Sequence, residues 1–480
     1  MIGSPLFAFV AFIVIPVIII IIVALLVVAI GIYFLVKKER RFSQTIIVSA
    51  FMVIVAFFIV LELLLNSPSL STARIGGITP TSTPAPVTSL SPAPQLHVRG
   101  NQILDSNNTP VRLLGVNRSG TEYQCLRSGI FDGPSDETSI LAMLNWHINA
   151  VRIPLNEDCW LNINLGTSSF GGGLYQDAIA NYVNQLIANG ITPILDLHWS
   201  APGSQTATGL QPLPDRDHSL MFWSQVAATF RGNDAVIFDL FNEPYPDSNL
   251  KTTTAWRCWR DGTNSRDCPA GTAGLNYAAA GMQELVTAIR NTGATNIIML
   301  GGIQYASTLD QWMEYKPTDP LNDIVASWHF YNNSECNQSA CWTSEVLPVI
   351  EHYPLIAGEI GENDAESAFI TRVMNFLDAP GKNLRAQSYL AWVWNTDQTV
   401  YDLITDYTNG TPTSPYGWAF KNHLAFLFSL PLPGTSTIPQ SVMLADVDIS
   451  ASIDTISPKG LRHGESGPLR ARLVVQQHWK

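Results

Sequence analysis

Phe238-Asp239-Leu240-Phe241-Asn242-Glu243-Pro244 and Leu355-Ile356-Ala357-Gly358-Glu359 are apolar runs that each end on a glutamate. A short, continuous apolar run reads as a strand buried on both faces. A strand that delivers a carboxylate at its C-terminal tip is how a (β/α)8 barrel places its chemistry, on the face built by the βα loops. The two glutamates lie 116 positions apart, which leaves room for about three βα units of ~30 residues each. That spacing puts them on strands four and seven. Either phrase alone is equally well an ordinary strand and turn, so the surrounding pattern decides.

Similar runs recur through residues 97–430. They fall at 111–116, 150–154, 192–197, 236–241, 296–300, 324–328, 355–357 and 389–393. Between them, residues 175–188 and 278–289 carry apolar side chains at helical spacing, and Gly190 is placed to cap the first of these helices. Alternating β and α segments mean an α/β fold, and eight repeats mean a (β/α)8 TIM barrel with enlarged loops. A doubly wound sheet would want a Gly-rich phosphate loop after an early strand, and none is present. Residues 104–111, with an Asn/Asp turn, read as a hairpin that closes the bottom of the barrel.

The rest of the chain is organised differently. Residues 5–36 contain no charge, and a second apolar run covers 45–61. A helix of roughly 20 apolar residues spans the hydrocarbon core of a bilayer. Residues 1–65 are therefore expected to form a two-helix transmembrane anchor, with the cluster Lys37-Lys38-Glu39-Arg40-Arg41 held in the cytoplasm. The second run followed by small residues also resembles a signal peptide, in which case the remainder would be secreted. Residues 66–96 are rich in Ser, Thr and Pro, a composition that stays extended and acts as a stalk. Residues 431–480 show no clean period and are expected to be a disordered tail. The barrel is thus expected outside the cytoplasm, at the cell membrane.

Six cysteines, Cys125, Cys159, Cys258, Cys268, Cys336 and Cys341, all lie beyond the stalk. An even count in an exported domain favours disulfides over zinc, and no pair has the Cys-x2-Cys spacing of a structural metal site. Sequence cannot fix the pairing. Neighbours in the chain are the simplest choice, which gives Cys125–Cys159, Cys258–Cys268 and Cys336–Cys341. The formal net charge of −12 argues against nucleic acid as a partner. A monomer is expected.

Six strand tips in this register carry Arg152, His198-Trp199, Asn242-Glu243, His329 with Tyr331, Glu359, and Trp392 with Trp394. At these positions the chain resembles glycoside hydrolase family 5, the cellulase-type family, from about residue 97 to 430. The resemblance rests on Val151-Arg152-Ile153-Pro154, Leu195-Asp196-Leu197-His198, Asn242-Glu243-Pro244, His329-Phe330-Tyr331, Gly358-Glu359 and Trp392-Val393-Trp394-Asn395, in that order. It implies that Glu359 is the nucleophile and Glu243 the acid/base of a retaining hydrolase. Arg152, His198, Asn242, His329, Tyr331 and a strand-eight tryptophan, here taken as Trp394, would form the supporting shell.

Such chemistry needs two carboxyls ~5–5.5 Å apart, one ionised and one protonated. Arg152 and Tyr331 would favour charge on Glu359, and that charge would keep a proton on Glu243. Asp196 and Asp239, below the tips, read as partners of Arg152 or the histidines, and Glu362 as a cap on the next helix. His198 and His329 come from separate strands and are not read as metal ligands. No cofactor is expected. Trp199, Trp312 and Trp342 are candidates to stack on sugar rings, with core packing as the alternative for each.

The expected activity is endo-β-1,4-glucanase. Mannan, β-1,3-glucan or another β-glycoside would suit the same machinery. A surface protein that binds carbohydrate without cleaving it is the rival from another class, and such proteins usually lose one carboxylate.

Overall fold

The computed structural model describes residues 91–429, apart from 264–267, 270, 272–273, 365, 383 and 398. By its internal contacts the chain divides after Thr88, and the described residues belong to the second unit, Ser89–Lys480. The apolar runs at 5–36 and 45–61, most of the stalk and the tail at 431–480 lie outside the described residues. Among the described residues no helix is long and apolar enough to cross a membrane.

Eight parallel strands close into a barrel. They are β3 (Leu114–Asn117), β4 (Ala150–Asn156), β5 (Thr192–Trp199), β6 (Ile237–Asp239), β7 (Ile298–Gly301), β8 (Ile324–Tyr331), β9 (Leu355–Gly361) and β10 (Ser388–Ala391). Each pairs with its sequence neighbour, and β10 closes on β3 through Tyr389 opposite Leu114. Every expected run overlaps one of these strands; Glu243 follows the fourth and Glu359 lies on the seventh. The longer helices that clothe the barrel or its loops are α1 (Glu137–Leu144), α2 (Gly173–Ala188), α3 (Ser219–Phe230), α4 (Thr253–Asp261), α5 (Met282–Asn291), α6 (Ala368–Asp378) and α7 (Tyr416–Ser429). Helix α2 ends as expected, with Gly190 just beyond it at φ +79°.

The runs that looked uniformly apolar hold two interleaved sets of side chains. Val151, Ile153, Leu195, Leu197, Phe238, Leu300, Trp328 and Ala357 face outward and bury the helices' apolar stripes. Ala150, Ile194, Ile237, Val325, Ile356 and Leu390 face inward and fill the lower barrel. Below them sits an antiparallel hairpin, β1 (Leu96–Arg99) and β2 (Gln102–Asp105). Its Leu96 and Ile103 join the inner cluster and plug the floor.

The turn at 105–109 exists, with Asp105 Oδ1 accepting from the amides of Asn107 and Thr109. The hairpin that closes the floor is 96–105 and not the expected 104–111, where Leu104 and Pro110 form only an isolated bridge, and its first arm starts at Leu96, the last residue read as stalk. There the amides of Ala93 and Leu96 donate to the carbonyls of Ile187 and Asp234, so the barrel body begins several residues earlier than residue 97. A final two-stranded hairpin, β11 (Ile404–Asp406) and β12 (Thr411–Pro412), follows the eighth barrel strand.

All six cysteines pair as neighbours, Cys125–Cys159, Cys258–Cys268 and Cys336–Cys341, with Cα separations of 6.2, 5.0 and 5.5 Å. These separations suit unforced bridges. Each bridge staples segments that leave the C-terminal ends of barrel strands, the face on which the glutamates lie.

Candidate active site

Strand periodicity decides which side chains reach the centre. Two residues beyond the apolar floor, the inward positions are Arg152, Asp196, Asp239 and Ser327, with Asn117 on β3, and all five are buried. Two further on come His198 and His329. The polar layer is therefore the same inward face carried upward toward the loops.

Arg152 is its hub. Nε lies 2.8 Å from Asp239 Oδ2, Nη2 is 2.8 Å from Asn242 Oδ1 and 3.0 Å from Asp196 Oδ2, and Nη1 is 3.0 Å from Asn117 Oδ1 and 2.9 Å from Glu359 Oε1. Burial opposes the guanidinium's charge, but Asp196, Asp239 and Glu359 outweigh it and hold its pKa raised. Burial likewise pushes the carboxyls of Asp196 and Asp239 up, against the pull of Arg152. Removing one member of such a network strands the others and typically costs ~3–5 kcal/mol.

Glu359 also accepts from the Tyr331 hydroxyl at 2.6 Å. Burial, then the charges of Glu359 and Glu243, raise the Tyr331 pKa well above its ordinary value, so the phenol stays a donor. Two glycines make this packing possible. A Cβ on Gly358 would lie 3.1 Å from His329 Nε2 and 2.8 Å from Ser327 Oγ, and one on Gly361 would lie 2.4 Å from the Tyr331 ring.

Glu243 has different neighbours. Its Oε1 meets His329 Nδ1 at 2.9 Å, and its side chain is 17% exposed to the cleft. Burial lowers the His329 pKa to about 3, so the ring is neutral. Burial pushes Glu243 up to about 7, with His198 and Arg152 pulling the other way. The expected cause, repulsion from Glu359, is not what raises it: desolvation does, with a smaller push from Asp196. One glutamate faces a permanent cation and a hydroxyl, the other a neutral imidazole. A carboxylate oxygen of each and a nitrogen of His329 all lie within 4.8 Å of one another.

His198 orients Asn242. Its Nδ1 lies 2.6 Å from Asp196 Oδ2, and its Nε2 lies 3.4 Å from Asn242 Nδ2. Burial lowers its pKa to about 4. A neutral ring that donates to Asp196 and accepts from Asn242 satisfies both contacts. The Asn242 amide is then held from both ends, by His198 and by Arg152.

These groups open into a cleft of about 530 Å³ lined by Trp199, Tyr305, Trp392 and Tyr401 as well as by both glutamates. The family model for cellulase (glycosyl hydrolase family 5) matches residues 104–398, a span that holds all eight barrel strands. The chain belongs to glycosyl hydrolase family 5.

Among its relatives, endoglucanase A of Butyrivibrio fibrisolvens is 25% identical over 281 residues, 57% of this chain and 56% of that protein. A manganese dependent endoglucanase of Phanerodontia chrysosporium is 27% identical over 293 residues, 56% of this chain and 62% of that protein. A mannan endo-1,4-beta-mannosidase of Salipaludibacillus agaradhaerens is 20% identical over 318 residues, 64% and 84% of the two chains. The match thus spans less than two thirds of the first two relatives. Among solved structures, a beta-glucanase of Saccharophagus degradans in complex with cellotetraose aligns with TM-score 0.52 at 20% identity, over 73% of this chain and 98% of that one. An endocellulase of Pyrococcus horikoshii aligns with TM-score 0.53 at 18% identity, over 70% and 100%. At these identities the two structures speak for the fold.

Within this family 5 site, Arg152, His198, Trp199, Asn242, Glu243, His329, Tyr331 and Glu359 are gathered in one place. Asp196 and Asp239 serve Arg152 and His198, and Glu362 caps α6 by accepting from the amides of Phe369 and Ile370. Trp394 is a correction. It is fully buried and packs edge-on to Trp146 at 5.0 Å, whereas Trp392 lines the cleft and stacks parallel to His198 at 5.7 Å. Adjacency to a polar loop did not predict direction, because β10 ends at Ala391 and the Trp394 ring turns to Gly410, in the connection between β11 and β12, where a Cβ would lie 2.9 Å from it.

Trp312 and Trp342 are core residues too, with indole N–H groups donating to the carbonyls of Leu300 and Cys336. Asn117 was missed, although its place at the tip of the first strand was a usable signal. Tyr305 and Tyr401 come from loops, and no local pattern marked them.

Three groupings among the described residues bring possible cation ligands together: Glu243, His329 and Glu359; away from the cleft, Glu157, Asp215 and His218; and Cys336 and Cys341 with Glu345, where both sulfurs are taken up in a disulfide. In the second, Ser219 Oγ donates to Glu157 at 2.5 Å and the His218 amide caps Asp215 at 2.8 Å, so the carboxylates have protein partners.

Proposed function

We propose that the chain is a retaining glycoside hydrolase that cleaves internal β-1,4-glucan bonds, with Glu359 as nucleophile and Glu243 as acid/base. The observation that carries this is the closeness of two carboxylates with opposite surroundings. One oxygen of each lies within 4.8 Å of one of the other, in keeping with the ~5–5.5 Å carboxyl separation of retaining enzymes rather than the ~6.5–9.5 Å that leaves room for a water.

In the first step a Glu359 oxygen bonds to the anomeric carbon, the glycosidic C–O bond breaks, and the Glu243 proton goes to the leaving oxygen. In the second, Glu243, now ionised, takes a proton from water. The water oxygen bonds to the anomeric carbon and Glu359 leaves with its electron pair. Two inversions give net retention. Arg152 and Tyr331 stabilise the free Glu359 carboxylate, and Asn242 is placed to hold the 2-hydroxyl of the donor sugar, where transition-state contacts are worth most.

Glucan is preferred as substrate because two of the relatives above are endoglucanases. The mannosidase, matched over most of its length, supports mannan as the second reading. Both carboxylates are present, which speaks against a purely carbohydrate-binding protein. Hydrolysis assayed on carboxymethyl cellulose, galactomannan and β-1,3-glucan tests the proposal. The largest kcat/KM is expected on the first. Greater turnover of mannan would reassign the substrate, and no turnover of any would refute the enzymatic reading.

A further inference from the structure

The imidazole of His329 has two nitrogens, and only one of them has a hydrogen-bond partner among the described residues. Nδ1 meets Glu243 Oε1 at 2.9 Å. Nε2 is buried and meets none, and the same is true of Ser327 Oγ. Buried polar groups are nearly always paired, so two such atoms close together point to each other.

The strands bring them close. Ser327 and His329 are two apart on β8, so both side chains point into the barrel. Across from them β9 carries a bulge: Ser327 pairs with Ile356 and His329 with Glu359, so Ala357 and Gly358 together face Trp328 alone. The extra residue turns both Ile356 and Glu359 inward and sets Gly358 against the pair. A Cβ on Gly358 would lie 2.8 Å from Ser327 Oγ and 3.1 Å from His329 Nε2, so both atoms reach within about 3 Å of one point. A turn of the serine hydroxyl, or one water, is enough to join them.

The direction of that bond follows from Glu243. Burial keeps the His329 ring neutral, so one nitrogen carries a proton and the other a lone pair. In the proposed second step Glu243 is an ionised base, and its Oε1 can only accept. Nδ1 must then donate, and the lone pair falls on Nε2, which needs a donor. The other unpartnered buried atoms of this polar layer, Asp196 Oδ1 and Asp239 Oδ1, belong to carboxyls held by Arg152. The Ser327 hydroxyl is a donor. Resting on the proposed hydrolase reading, we infer that Ser327 is a positioning residue: it donates to His329 Nε2 and thereby holds the ring proton on Nδ1. The consequence falls on Glu243. With Oε1 accepting from Nδ1, the proton transferred in the first step stays on Oε2, away from His329. With the ring proton on Nε2 instead, Nδ1 would take up the Glu243 proton and draw it from the glycosidic oxygen.

The test reads the ring directly. In the full chain labelled on its histidine nitrogens, the His329 signals are those lost in His329→Gln, and NMR should show Nδ1 protonated and Nε2 bare. In Ser327→Ala the form protonated on Nε2 should appear. Activity supplies a second readout, with kcat/KM compared on cellotetraose and on a dinitrophenyl cellobioside, whose leaving group needs no proton. Loss of one buried hydrogen bond behind the acid predicts a fall about tenfold greater on cellotetraose than on the aryl substrate. A parent ring protonated on Nε2, one tautomer shared by parent and Ser327→Ala, or equal losses on the two substrates would overturn the role of Ser327 while parent activity upholds the hydrolase. A parent inactive on both substrates would overturn the hydrolase reading, and the ring spectra would still decide the contact with Ser327.

Discussion

Glu243 and Glu359 are chemically identical side chains, and the proposed mechanism gives them different work because of what lies within hydrogen-bond reach. Burial moves Glu243 to about 7 from its ordinary value of 4.5, and the proposed first step needs it protonated in the free enzyme. The alkaline limb of kcat/KM should therefore fall through about pH 7. In Glu243→Gln that limb should vanish on an aryl glycoside with a good leaving group.

Stability should carry the same signature. Above pH 4.5 the unfolded chain releases this proton while the folded one keeps it up to about pH 7, so the folded state binds more protons across that window. Stability then decreases as pH rises from 4.5 to 7. The midpoint of Glu243→Gln relative to the parent should rise across those pH values and level off beyond them. A flat difference would mean that Glu243 is not desolvated in solution.

At the scale of elements, the eight strands were legible because both faces of each are buried, which leaves an apolar stamp whatever the loops do. Legibility of the site follows from the same cause. The inward positions of those strands end on Arg152, His198, Asn242-Glu243, His329 and Glu359, so register and chemistry were read together. Where a residue's direction depends on a distant element, the sequence was silent or misleading. Trp394 reads as the cleft residue, yet it packs on Trp146 and beside Gly410 of the β11–β12 connection. Tyr305 follows Gln304, whose side chain donates to the Asn249 carbonyl some fifty residues away, and no window of the chain contains both. The first arm of the floor hairpin was hidden for a different reason. Residues 96–99 abut a Pro-rich stretch and are too short to show alternation.

For the molecule as a whole, the three bridged cysteine pairs in the loops above the barrel fit an oxidising compartment, and the two apolar runs at 5–36 and 45–61 would supply the means of reaching one. We propose that residues 1–65 anchor the chain and that the barrel acts outside the cytoplasm. A periplasmic-type reporter fused after Leu96 should be active. A reporter that works only in the cytoplasm would contradict export.

The division of labour between the two glutamates is read most directly from product stereochemistry with azide, followed by NMR on an aryl β-glycoside. Glu359→Ala lacks the atom that bonds to the anomeric carbon, so azide should enter from the vacated side and give the α-glycosyl azide. Glu243→Ala retains the nucleophile but has no base to activate water, so the glycosyl-enzyme should accumulate and azide should release it as the β-glycosyl azide. A β product from Glu359→Ala together with an α product from Glu243→Ala would show that the roles are reversed.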